Sequence, residues 1–276
     1  MVRRRAIPVE RYSSLAHWSW RLALFSLPVL ILAIALARLE RVETFAALGV
    51  FGAGLAVAGL ALVIAMAALV AIWNHGYRGL HEAVGGFLVA VLVVAGPAAV
   101  AALTLQLPML HDVTTDFGDP PAIVAGAVAR TVGANSPAYG GERTAIRQRM
   151  AYPDLRPLTK EWTPDRAFQA ARAVVEKRGW RVLDLVPPRP GRDGRIEATV
   201  RNLPFGFRDD VVVRIRAISE GSRVDVRSAS RTGEHDLGIN ARRVRALLDD
   251  IDEWEPPATK AGPPAPPAAA PPRRAR

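Results

Sequence analysis

The sequence predicts a two-part molecule: three N-terminal transmembrane α-helices, then a C-terminal α+β two-layer domain with a four-stranded antiparallel sheet and two helices. Three observations predict it. The first 110 residues hold three long apolar stretches, two of them without a charged side chain. Residues 163–252 read as helix, four strands, helix, by helical and then two-residue periodicity. Between the two parts, and again after Glu255, the chain is polar or rich in Pro and Ala.

The apolar stretches run over about 20–37, 45–73 and 83–107. A hydrocarbon core about 30 Å thick needs roughly 20 apolar residues in a helix, and a soluble core helix rarely stays apolar around its whole circumference. Trp18, Trp20 and Trp73 suit interfacial anchors. Gly52/Ala56 and Gly54/Ala58 have the spacing that permits close helix contact. The expected location is the cytoplasmic membrane, multi-pass. Arg3, Arg4, Arg5, Arg11 and Arg21 precede the first span, which predicts a cytoplasmic N-terminus and, after three crossings, an extracytoplasmic C-terminal domain. Reading the first stretch as a signal peptide cut near Ala35-Leu36-Ala37 leads to the same side.

Composition narrows the chemistry. The 276 residues contain no cysteine, which excludes disulfides, thiolate catalysis and Cys-type metal sites. The formal charge of +10 resembles a nucleic-acid signal, but its excess sits at the two ends of the chain. The domain between is nearly balanced, so no nucleic-acid partner is expected. The tail, 256–276, is Pro/Ala-rich with a terminal Arg cluster and is expected to be disordered.

Within the domain, 111–255, the first thirty residues read as an extended lead-in. Thr163 is an N-cap with Pro164 at the first helical position, and Gly179 ends that helix. Trp180–Val186 is a first strand, and Ile196, Ala198 and Val200 alternate inward in a second. Val211, Val213 and Ile215 mark a third, with Arg214 and Arg216 on its other face. Val224 and Val226 mark a fourth. A turn at Glu220-Gly221 would set Arg216 opposite Asp225. Asp236 caps a last helix whose stripe is Leu237, Val244, Leu247, Leu248 and Ile251, with Arg242, Arg243 and Arg245 mostly off it.

Several segments are similar to the bacterial domain of unknown function 1499 family. They are His111–Asp116, Asp119-Pro120-Pro121, Tyr152-Pro153-Asp154, Gly179-Trp180 and Ile196–Thr199, and above all Gly206–Arg214, Gly221–Arg231 and Leu237–Ala241. The resemblance covers about 110–252. It implies a domain often preceded by apolar segments, and no established reaction.

No GxSxG, P-loop, GxGxxG or HExxH pattern is present, so no catalytic residue, metal or cofactor is assigned. Asp209 and Asp210 are the most enzyme-like pair, yet neighbours on a strand point to opposite faces, and pairing with Arg208 or Arg231 explains them. His235 beside Asp236 is a weaker candidate for a base or a metal site, since a metal wants several ligands and helix capping explains Asp236. Ser228, Ser230, Arg231 and Asn240 bracket the last strand–helix loop, where backbone N–H groups and an arginine suit an anion. Phe205, Phe207 and Trp162 could line a pocket, but core packing is the expectation. The candidate ligand site is therefore Arg208, Asp209, Asp210, Ser228, Ser230, Arg231, Asp236 and Asn240. The expected function is a membrane-anchored envelope protein binding an envelope partner or a small polar or anionic ligand, with the lipid bilayer as its surroundings. A membrane-anchored hydrolase and an accessory subunit of a membrane complex are the alternatives.

Overall fold

The structure, a computed structural model, describes residues 11–131 and 133–256. Arg3–Arg5 and the tail from residue 257 lie outside the described residues.

Three helices come first: α1 (Ser14–Arg38), α2 (Thr44–His75) and α3 (Leu80–Thr104). Each is long and apolar enough to cross a membrane. α1 starts earlier than its apolar stretch because Ser13 caps it, its hydroxyl accepting from Ala16 N–H at 3.2 Å. At about 1.5 Å per residue α2 is roughly 48 Å long, so its end turns reach the edge of a hydrocarbon core of about 30 Å.

Lipid tails are as apolar as Leu, so such helices associate through close packing of small side chains. Ala16, Ala23, Ala61, Ala65, Ala68 and Ala90 are wholly buried between the helices. A Cβ on Gly86 would stand 2.9 Å from the Ser19 backbone. One on Gly54 would stand 2.9 Å from the Leu30 side chain. Of the two small-residue pairs, Gly54/Ala58 is buried against α1, whereas Gly52/Ala56 is exposed.

The bundle runs up, down, up. Ser13 N–H donates to Arg78 O and Arg78 N–H to Arg11 O, both 3.0 Å, joining the start of α1 to the α2–α3 connection. At the opposite end Arg201 donates to Arg38 O at 3.0 Å and Arg208 to Glu40 at 2.6 Å. The α1–α2 connection and the C-terminal unit thus share one end of the bundle.

That unit contains β1 (Asp112–Thr114), α4 (Ala125–Val128), α5 (Gly141–Ala151), β2 (Leu158–Lys160), α6 (Pro164–Lys177), β3 (Arg181–Val186), β4 (Gly194–Arg201), β5 (Arg208–Ile218), β6 (Gly221–Ser230) and α7 (Ile239–Asp252). Its antiparallel sheet has six strands rather than the expected four, in the order β1-β6-β5-β4-β3, with β2 also on β6. β3 to β6 are the expected four. β1 and β2 are three-residue strands placed end to end along the outer edge of β6, an edge otherwise left with unpaired N–H and C=O groups. With α4 and α5 the unit has four helices, not two.

The β5–β6 turn also differs. Ile218 pairs with Gly221, so Ser219-Glu220 form the loop. Arg214 then faces Asp225, and Arg216 faces Arg223. Gly221 belongs to the strand through its pairing with Ile218, and only glycine fits there: its φ is +132°, and a Cβ would lie 2.2 Å from Lys160 O.

One sheet face packs Val211, Val213, Ile215 and Val224 against Val174 of α6 and Leu247 of α7. The other face is not left to solvent. The lead-in crosses it, burying Ile123 against Val212 and Ala229. The expectation of an extended, unpacked lead-in is therefore corrected: its polar residues are the partners of that face.

Candidate functional site

β5 enters the sheet through Asp209 and Asp210, and its pleat sends them apart. Asp210 faces the lead-in. Its Oδ1 accepts from Arg231 at 2.6 and 3.0 Å, and its Oδ2 from Arg130 at 3.0 Å. Arg231 donates further to Ala129 O at 2.7 Å. The arginine expected to receive an anion thus spends its fork on a buried carboxylate and a carbonyl. Arg208 reaches Glu40.

Asp209 faces α7. Its Oδ2 lies 2.7 Å from Arg243 and accepts from Asn202 at 2.6 Å. Arg243 also donates to Ser228 at 2.8 Å, and to Asn240. Ser228 donates to Asn240 Oδ1 at 2.7 Å, and Asn240 donates to Ser230 at 2.9 Å. The cap of α7 is Gly238 rather than the expected Asp236, and Leu237 precedes the helix; Asp236, two residues before the cap, accepts from Gly238 N–H and Asn240 N–H at 2.9 and 2.8 Å and so ties the turn to the first helical residues. Burial pushes the Asp236 carboxyl up; these two N–H groups oppose the shift and the Asp209 charge adds to it. His235 Nδ1 accepts from Leu237 N–H at 2.9 Å, and its Nε2 faces Leu107 O, 3.2 Å away.

Five expected residues, Asp209, Ser228, Ser230, Asp236 and Asn240, therefore form one network. Asp210 and Arg231 form a second on the opposite face, and Arg208 serves the junction with the helices. Arg243, expected off the buried stripe, is only 9% exposed and is the hub of the first network. The spacing 240, 243, 247, 251 carries it inward with Asn240, a signal visible in the helical period. Asn202 was not distinguished by any pattern.

A cleft of about 730 Å³ borders this network, within the range of about 300–1,000 Å³ usual for small-molecule sites. Phe45, Leu48 and Phe51 of α2 with Val100 of α3 form one wall. The loops 202–207 and 230–239 form the other, with Phe205, Phe207 and Leu237 facing the helices. Phe205 and Phe207 are thus not in the sheet core. Phe205 is edge-on to Phe51 at 5.0 Å between ring centres. Trp162 packs against the core beside Trp254. Asp209, Ser230, His235 and Asp236 border the polar end of the cleft.

The sheet, both charge networks and the start of α7 fall within residues 112–251, which match the family model described as a protein of unknown function (DUF1499). The chain belongs to this family. No curated protein and no solved structure matches the chain. The cleft accordingly lies where the DUF1499 domain meets helices outside the matched residues.

A third charge cluster sits on the lead-in face. Asp116 accepts from Arg214 at 3.1 Å and Arg223 at 2.9 Å. Burial alone would raise its carboxyl, but the Asp119 N–H, the Arg223 charge, the Gly118 N–H and the Arg214 charge together hold it below the usual range. A carboxyl held low stabilises the fold fully above its unfolded pKa, about 4, and loses that contribution as pH falls through the folded value. Asp116→Asn is expected to cost about 1.5–3 kcal/mol at pH 7. The gap from the parent should shrink below pH 4, read by urea unfolding at pH 7 and pH 3.

Proposed function

We propose that this protein is a membrane-anchored binding protein of the cell envelope. Three crossings of the cytoplasmic membrane, with the N-terminus inside, hold the DUF1499 domain on the outer face, where it binds a small amphiphile drawn from the bilayer. The observation that carries this reading is the shared wall of the cleft. One side is built from membrane helices and the other from the loops around Asp209 and Asp236. A ligand with an apolar chain and a polar head fits such a site better than the small anion expected from Arg231, because Arg231 and Arg208 already face carboxylates.

A hydrolase draws less support. Asp209 and Asp210 diverge to opposite faces, and both ring nitrogens of His235 are engaged. For an accessory subunit packing through Gly52, Gly54 and Ala58, the last two are spent within the chain, and of the three Gly52 alone stays exposed.

Native mass spectrometry of the full chain, released from nanodiscs of bacterial membrane lipid, tests the reading. One retained amphiphile per chain is expected, and Phe205→Asp should lower its occupancy about tenfold. A parent chain that emerges free of lipid overturns the proposal.

A further inference from the structure

The polar end of the cleft carries an unmet demand. Asp209 is 1% exposed, and its Oδ2 takes both the Arg243 and Asn202 contacts. Its Oδ1 is buried with no hydrogen-bond partner among the described residues. A buried carboxylate oxygen without a donor is costly and rare, and Asp209 is among the residues lining the cleft, so a ligand donor at its polar end can satisfy this oxygen once the side chain turns toward it. The neighbouring groups supply none. Asp236 is itself an acceptor already serving two N–H groups, and His235 directs its Nε2 to Leu107 O. Among the described residues bordering the cleft there is no Lys or Arg, and there are two carboxylates.

The apolar end specifies the rest of the ligand. Phe45 and Leu203 at its rim are 67% and 77% exposed, and Val100 stands beside them on α3. Phe45 to Phe51 occupy the first two turns of α2, within about 10 Å of the helix end, so the rim is continuous with the lipid-facing surface of the bundle. A helix of about 48 Å extends roughly 9 Å past each side of a core of about 30 Å, so this rim lies where head groups give way to acyl chains.

We infer that the cleft selects its amphiphile by head group: a single-chain lipid whose uncharged hydroxyl head donates a hydrogen bond to Asp209 Oδ1, with anionic heads rejected by Asp209 and Asp236. This rests on the binding function proposed above and adds the chemistry of the ligand. A carboxylate or phosphate head brings no donor at neutral pH and adds a negative charge beside Asp209 and Asp236, of which only Asp209 has an arginine, Arg243, against it. An ester head brings neither donor nor charge.

Three probes share one chain and differ in the head: monooleoylglycerol, oleate and methyl oleate. Binding to the delipidated full chain in mild detergent at pH 8 is expected to be about tenfold tighter for monooleoylglycerol than for the other two. Asp209→Asn, which keeps the side-chain shape, should bring the three within about threefold. Ala101→Phe fills the apolar end from the exposed face of α3, away from the Asp209 network, and should weaken all three together about tenfold. If Asp209→Asn does not fold, the ranking by the parent chain still decides. Equal binding of the three probes by the parent overturns head-group selection and leaves the binding function standing. Tighter binding of oleate overturns it likewise. No binding of any probe overturns both.

Discussion

Asp210→Ala is expected to cost the C-terminal domain about 3–5 kcal/mol, the usual consequence of removing one partner from a buried charge cluster. The Asp210 side chain is 2% exposed and stands between Arg130 and Arg231, themselves 5% and 8% exposed. Truncation leaves two buried guanidinium groups facing each other with no anion between them. The space does not refill readily, because α4 is pressed onto this site: a Cβ on Gly126 would lie 2.8 Å from the Asp210 carboxyl carbon. For a domain of this size the loss corresponds to a fall in melting temperature of roughly 10 °C, read by thermal unfolding of the full chain in detergent. The triple change Arg130→Met, Asp210→Leu, Arg231→Met removes every charge at once and should recover most of it, since well-packed apolar groups often replace a buried ion network at no net cost. A fall of under about 3 °C for Asp210→Ala would show that the cluster does not hold the lead-in to the sheet.

The second large effect lies in the bundle. Gly86→Leu drives a side chain into backbone: the atoms nearest its Cβ would be the Ser19 carbonyl carbon, the Ser19 hydroxyl and the Trp20 nitrogen, each at 2.9 Å. Backbone cannot rotate aside as a side chain can, so α1 and α3 must separate, at a cost of about 1–3 kcal/mol or more. The same substitution at Gly96, on the same helix, meets nothing within 4 Å and should be silent. The comparison is read as resistance of the bundle to unfolding by sodium dodecyl sulfate, with Gly86→Leu unfolding at markedly lower detergent. Gly52→Leu, also in open space, should leave the bundle intact.

What could be read from the residues follows from how each element earns its stability. The spans were legible because lipid demands long uncharged runs, and α1 to α3 contain them. β3 to β6, α6 and α7 were legible because each turns its apolar side chains mainly to one face and so shows a period, even where the polar face of β5 and β6 is buried as well. β1 and β2 were not, since three residues carry no period and their pairing is imposed by β6. The lead-in was not, because what fixes it is charge: Arg214 and Arg223 resemble a solvated strand face until Asp116, about 100 residues earlier, is laid across them. At the site, Ser228, Ser230, Asp236 and Asn240 were within reach because they lie close together in the chain. The cleft was not, because Phe45, Leu48 and Phe51 carry the same apolar signature whether they meet lipid or the DUF1499 domain.

The most direct measurement is photolabelling in the membrane with a lipid carrying a diazirine at the end of its chain, followed by mapping of the labelled peptides. Labels on α2 and α3 report only that they contact lipid. The account predicts additional labels on Phe205, Phe207 and 235–237, the buried or half-buried parts of the two loops that line the cleft, whereas the exposed Leu203 can be labelled from outside it. Labels confined to the three helices and Leu203, with these residues untouched, would contradict it.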